Sequence, residues 1–336
     1  MKTARALVLA PPLVMAAFLA VGCGAGDARA QAGDARAQSG DWVSPQTEWG
    51  DPDLQGMWPM RYLNGTPLQR PESFGERRLL NDQEYAERVA RLEGLNARYD
   101  NEIASGQIGQ GHWSEMGEPN RFASLIVEPS NGRIPAMTEE GQRQSAMMTS
   151  SWSGGPFDGL ADFNALDRCI TRGLPASMFT FMYNSGIEIR QSPGYVIIRL
   201  ELVHETRIVP VDGRPALEPA IRQWLGESRG RWEGDTLVIE TTNFNAESPM
   251  TIVGPGATPI PTSTELRIVE RLTRTGEDTI EYEIRVEDPV VLTGTWAAAY
   301  PWKRDPGYQF FEYACHEDNR TIRDFISSSR AERGLL

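Results

Sequence analysis

Ser228-Arg229-Gly230-Arg231-Trp232-Glu233-Gly234-Asp235-Thr236-Leu237-Val238-Ile239-Glu240-Thr241-Thr242-Asn243-Phe244 is the stretch that decides the fold class. It reads as two antiparallel strands around a tight turn at Glu233-Gly234, because glycine adopts positive φ without a Cβ clash. After the turn, Leu237, Ile239 and Thr241 share one face while Val238, Glu240 and Thr242 share the other. Similar punctuation recurs outward from it. Ser192-Pro193-Gly194 separates residues 187–191 from 195–202, Asp212-Gly213-Arg214-Pro215 makes a further turn, and Thr275-Gly276-Glu277-Asp278 separates 265–273 from 279–288. Residues 309–315 read as a last strand before a short helix near Ile322. Short strands with frequent turns predict a mainly β fold over residues 186–328, an antiparallel barrel or sandwich of the lipocalin-like meander type. No P-loop or glycine-rich nucleotide loop interrupts the pattern.

Residues 41–185 read as an extended arm and a helical segment packed on that β-domain. Trp42, Trp49 and Trp58 lie in a proline-rich run without a period, with a short strand predicted at Gly56-Met57-Trp58 and another at Leu125-Ile126-Val127. The first of two helices starts at Asn81, an N-cap with Glu84 three residues on, and ends at Gly106. Tyr85, Val89, Leu92, Tyr99 and Ile103 mark its apolar face, and Glu87, Arg88, Arg91, Glu93 and Arg98 its solvated one. Thr138-Glu139-Glu140 opens the second, where Met147 and Met148 are expected as core filler. A further short helix is expected over residues 163–168.

The N-terminus carries Lys2 and Arg5, then an apolar run to Val21 and Gly22-Cys23, which reads as a signal peptide over residues 1–22. Ala20-Val21-Gly22-Cys23 fits a lipobox that would acylate Cys23, although Ala20 stands where Leu is usual; cleavage after Ala30 or Ala37 is the alternative. Residues 23–40 read as a flexible tether, since Ala-Gly-Asp-Ala-Arg-Ala-Gln is written twice, over 25–31 and 32–38, without a large apolar residue. Both routes predict export, to the periplasm or, with acylation, to the outer membrane, with the lipid as the sole membrane contact. The net charge of −13 argues against nucleic acid and anionic membrane surfaces as partners. Cys23 apart, Cys169 and Cys315 are an even pair in an oxidising compartment, which predicts a disulfide.

Several blocks carry a resemblance. Gly230-Arg231-Trp232-Glu233-Gly234-Asp235-Thr236-Leu237-Val238, Asp212-Gly213-Arg214-Pro215, Val286-Glu287-Asp288-Pro289 and Glu312-Tyr313-Ala314-Cys315-His316-Glu317 are similar to those of a large family of exported bacterial proteins of unsettled activity. Arg168-Cys169-Ile170-Thr171-Arg172-Gly173-Leu174-Pro175 also fits its pattern. The resemblance implies export and one common β-rich fold, and it supplies no mechanism.

Strand parity supplies the candidate chemistry. Asp288 falls in phase with Ile280, Tyr282, Ile284 and Val286, and Glu270 with Leu266, Ile268 and Leu272. His204 extends the face of Val196, Ile198, Leu200 and Leu202 if that strand runs on, and His316 is in phase with Phe310, Glu312 and Ala314. A charge on an inward face is costly unless paired or functional, so at least two of these four are expected to face a common cavity, with Tyr300, Trp302, Tyr308, Phe310 and Phe311 as walls. Arginines on adjacent strands would account for the carboxylates equally well. The three histidines, His112, His204 and His316, lack metal-ligand spacing, so neither a metal nor another cofactor is expected. Two function classes follow: binding of a small apolar or aromatic molecule in an internal pocket, or a cofactor-independent acid–base enzyme (lyase, isomerase or hydratase) using that pocket.

Overall fold

The computed structural model describes residues 42–251, 257–317 and 319–335. The expected signal peptide, Cys23 and the expected tether lie outside them. Among the described residues ten strands form two antiparallel sheets. The first has the order β1-β3-β4-β5, from Gly56–Met57 (β1), Ile187–Ser192 (β3), Tyr195–Leu200 (β4) and Thr206–Pro210 (β5). The second has the order β2-β10-β9-β8-β7-β6. Its strands are Ile126–Glu128 (β2), Glu227–Glu233 (β6), Thr236–Thr242 (β7), Arg267–Gly276 (β8), Thr279–Glu287 (β9) and Trp296–Lys303 (β10).

The opening hairpin is β6–β7, with Glu233 opposite Thr236 and Gly234 at φ +60° in the turn. Leu237, Ile239 and Thr241 are fully buried on the expected face, and Leu237 and Ile239 join Ile198 and Val209 of the first sheet in one core. That core also takes Leu54, Trp58 and Leu63 from the arm. The backbone ladder stops between β5 and β6, which lie beside one another without pairing.

β10 was not visible in the sequence. Ala297-Ala298-Ala299 has low strand propensity, and Pro301 argues against a central strand. The register removes the conflict. Ala299 donates its N–H to Leu125 O on the β2 side, so the donor missing at Pro301, two residues on, falls past the end of β2. Tyr300 and Trp302, expected as pocket walls, are core residues.

Three α-helices occur among the described residues: Asp82–Ser105 (α1), Glu139–Met147 (α2) and Thr321–Glu332 (α3). None is long and apolar enough to cross a membrane. α1 carries the expected capping box, with Asn81 accepting from Glu84 N and Glu84 accepting from Asn81 N, and ends at Gly106 in the left-handed region. Arg88, expected in solvent, is instead buried and donates to Asn120 O at 3.0 Å and Phe122 O at 2.7 Å, which replaces its water. Met147 is exposed rather than core filler, because the buried face of α2 is made by Gly141 and Ser145. Residues 163–168 form turns rather than a helix, with Asn164 Oδ1 accepting from Asp167 N at 2.8 Å.

Candidate functional site

Glu270 is inward and fully buried at the middle of β8. Arg207 of β5 donates Nη1 to its Oε1 at 2.9 Å and Nη2 to its Oε2, and the Tyr282 hydroxyl donates to Oε1 at 2.8 Å. Arg207 Nη2 also reaches Ser228 Oγ on β6 at 3.2 Å and Thr241 Oγ1 on β7 at 3.3 Å. The guanidinium therefore ties the two sheets together where their ladder stops. Burial alone would lower the Arg207 pKa, but the Glu270 charge and hydrogen bonds outweigh it and raise it. Burial, then Glu270, hold the Tyr282 hydroxyl well above its ordinary value. Glu270 is thus held on both oxygens by the chain itself, which is the arginine-paired reading of its parity.

Asp288 is also inward and buried, just past β9. It accepts from Ser263 N and Ser263 Oγ, both at 2.7 Å, and from Val291 N at 3.2 Å, so it anchors the chain entering β8 to the turn leaving β9. Glu270 is opposite Ile284 in the ladder. Asp288 therefore sits four residues further along β9, about 13 Å away at the usual strand rise. The two carboxylates do not share a cavity.

The two histidines depart from their predicted strands. β4 ends at Leu200, and the chain turns through Val203 at φ +59° and His204 at φ +45°. His204 is consequently exposed, its Nδ1 3.1 Å from Tyr313 O. No strand forms over residues 309–315; the Phe311 N–H is taken by Glu201 Oε1 at 2.8 Å, not by a neighbouring strand. The parity that placed His316 inward does not apply, and His316 is exposed. The cysteine reading holds: Cys169 and Cys315 are bonded, with Cα atoms 5.6 Å apart. The bridge ties the segment around Cys169 to the segment around Cys315, and His204 reaches the latter through Tyr313 O.

Polar groups that the sequence did not single out gather nearby. Tyr308 Oη lies within hydrogen-bond distance of Glu115 Oε1 and is 2.6 Å from Glu201 Oε2. Glu201, 1% exposed, also accepts from Asn184 Nδ2 at 3.0 Å and Gly186 N at 3.1 Å, while Glu115 accepts from Ser185. Burial, then hydrogen bonds to the two carboxylates, raise the Tyr308 pKa. Next to this set, Glu205 accepts from Thr171 Oγ1 at 2.5 Å, Arg172 N at 2.6 Å and Ser177 Oγ at 2.6 Å. These residues come from coil, strand ends and turns, so no period in the sequence connects them. Among the described residues no group of His, Cys, Asp and Glu is placed to hold a metal ion.

The concave surface that best suits an apolar molecule lies elsewhere. A groove of about 640 Å³ runs between residues 66–69, Leu125, residues 134–137 and Ile260, with Phe179 at its base. No charged side chain is among the described residues that line it. Its walls are held by the backbone, through Ile126 N to Leu68 O at 3.1 Å, Leu125 N to Pro67 O at 3.0 Å and Met250 N to Ile260 O at 2.7 Å. Phe179 is stacked on Trp296, with centroids 5.8 Å apart. A cavity of about 740 Å³ against α3 is larger, but Asp324, Glu332 and Arg333 line it. No family model, curated protein or solved structure matches the chain.

Proposed function

We propose that this chain is an exported, lipid-anchored protein whose β-rich unit binds a small apolar or aromatic molecule. Export and the anchor rest on the n-region, the apolar run and Cys23. The two sheets with their common core fit a sandwich, so the ligand site belongs outside the sheets rather than in a barrel interior. The observation that carries the reading is the groove over Phe179. Its volume is that of ordinary small-molecule sites, and its described lining residues offer aliphatic and aromatic walls with a few threonines and no ionised group.

A hydrophobic fluorescent probe, N-phenyl-1-naphthylamine, tests it. Ala136 is exposed at the groove and its side chain takes no part in the core, so Ala136→Trp fills the site without disturbing the fold. Probe fluorescence should fall at least tenfold in affinity while the melting temperature stays within about 2 °C of wild type. Unchanged probe binding in Ala136→Trp removes the groove as the site.

One observation favours the acid–base enzyme as a second reading. Tyr308 has a single phenolic proton and stands between two carboxylates, a place from which a proton can pass between them. Turnover lost in Tyr308→Phe with the ligand still bound would select that reading over simple binding.

A further inference from the structure

Arg172 lies three residues after the bridged Cys169 and is 5% exposed. Its Nη1 donates to Phe179 O at 3.2 Å, and its guanidinium carbon lies 4.8 Å from the Phe181 ring centroid. Nε and Nη2 are shielded from solvent and have no acceptor among the described residues. Arg172 forms no ion pair among the described residues. Glu205, the carboxylate whose charge acts on it most, spends its oxygens on Thr171, the Arg172 backbone and Ser177. Burial pulls the Arg172 pKa down to about 10, and Glu205 only partly offsets this. The fold therefore holds a guanidinium whose charge and donors it does not satisfy.

Arg172 also borders a small chamber. Arg172 lines it together with Met60, Phe179, Phe181, Leu200 and Leu202, and its volume is about 10 Å³. That is room for one small particle. The polar residues of the wall, Ser177, Asn184 and Ser185, already donate to Glu205, Glu201 and Glu115 respectively. Among the lining side chains, the buried polar atoms with no partner at all are Nε and Nη2 of Arg172. A water would satisfy two N–H groups but leave the charge uncompensated. An oxyanion or a ligand carboxylate is too large.

We infer that the Arg172 chamber is a binding site for a single monovalent anion of halide size, filled by chloride where chloride is the abundant anion. An ion there takes hydrogen bonds from Nε and Nη2 and supplies the counter-charge that Glu205 does not deliver at ion-pair distance. The site is independent of the apolar groove, although the two share Phe179 as a wall.

The test uses the whole protein in sodium gluconate, titrated with sodium chloride or sodium bromide at constant ionic strength. The melting temperature should rise saturably by about 2–4 °C with either halide. Arg172→Met, close in length and uncharged, should show no halide dependence. Crystals grown in bromide should give an anomalous peak about 3.3 Å from Nε and Nη2. That measurement needs only the wild-type protein, so it decides even if Arg172→Met fails to fold. A melting curve indifferent to both halides, or a chamber holding a water with no bromide signal, overturns the site.

Discussion

Arg207 and Arg172 are both withdrawn from solvent, 3% and 5% exposed, and both have a glutamate in their surroundings, yet they stand in opposite conditions. Arg207 has both terminal nitrogens engaged by Glu270, with Ser228 and Thr241 also within reach of Nη2 and Nε alone without a partner, and its affinity for its proton rises. Arg172 keeps Nε and Nη2 unpartnered beside a glutamate that is occupied elsewhere, and its affinity falls. Equal burial thus has two meanings. Where the chain supplies the counter-charge, a buried arginine is a joint between elements; here it replaces the ladder missing between β5 and β6. Where the chain withholds it, the guanidinium is an unfilled binding group.

The contrast can be broken first at the cross-link. Cys169 and Cys315 are 146 residues apart, for which loop-closure entropy predicts about 5 kcal/mol. Cys169→Ser with Cys315→Ser should lower the urea midpoint by that amount and loosen the Arg172 chamber, because the segment bearing Arg172 loses its covalent hold. A loss below about 1 kcal/mol would mean that packing alone secures that region as firmly as the sheets secure Arg207. The next largest effect belongs to the joint itself. Glu270→Gln leaves Arg207 buried without a counter-charge and should cost about 3–5 kcal/mol in urea unfolding. Arg207→Met combined with Glu270→Leu should recover most of the loss, since removing both charges leaves none stranded. If Glu270→Gln is neutral, the joint reading fails and the difference between the two arginines loses its physical basis.

How legible this was in the sequence follows the range of each signal. The β6–β7 turn at Gly234 and the α1 capping box are local, and the structure has them where the residues put them. The Cys169–Cys315 bond followed from number and compartment. Parity turned Glu270 and Asp288 inward correctly because their strands run straight to them. The same rule failed at His204, where a left-handed turn follows β4, and at His316, where no strand forms. Arg207 as the partner of Glu270 was out of reach, since β5 and β8 belong to different sheets. Glu115, Glu201 and Tyr308 likewise meet only through tertiary packing. Residues 134–137 of the groove drew no assignment of their own, because a concave surface formed by loops has no period.

The smallest expected effect supplies the baseline for the contrast. Arg214 and Asp212 repeat the chemistry of Arg207 and Glu270 in water, with Arg214 Nε 2.9 Å from Asp212 Oδ1 and Nη2 2.6 Å from Tyr195 Oη. Hydrogen bonds from Arg214 hold the Asp212 carboxyl at about 2, below its ordinary 3.8. A carboxyl lowered in this way contributes stability that is present above pH 3.8 and is lost as the pH falls towards 2. The pair lies in solvent, where screening and side-chain entropy cancel most of its attraction. Arg214→Ala should therefore move the Asp212 carboxyl back up in an NMR titration and lower the urea midpoint only slightly at neutral pH. That small difference should fade as the pH falls towards 2. A clear drop in the midpoint would show that contact with a carboxylate, rather than withdrawal from water, sets the worth of an arginine in this fold, and the distinction drawn between Arg207 and Arg172 would have to be given up.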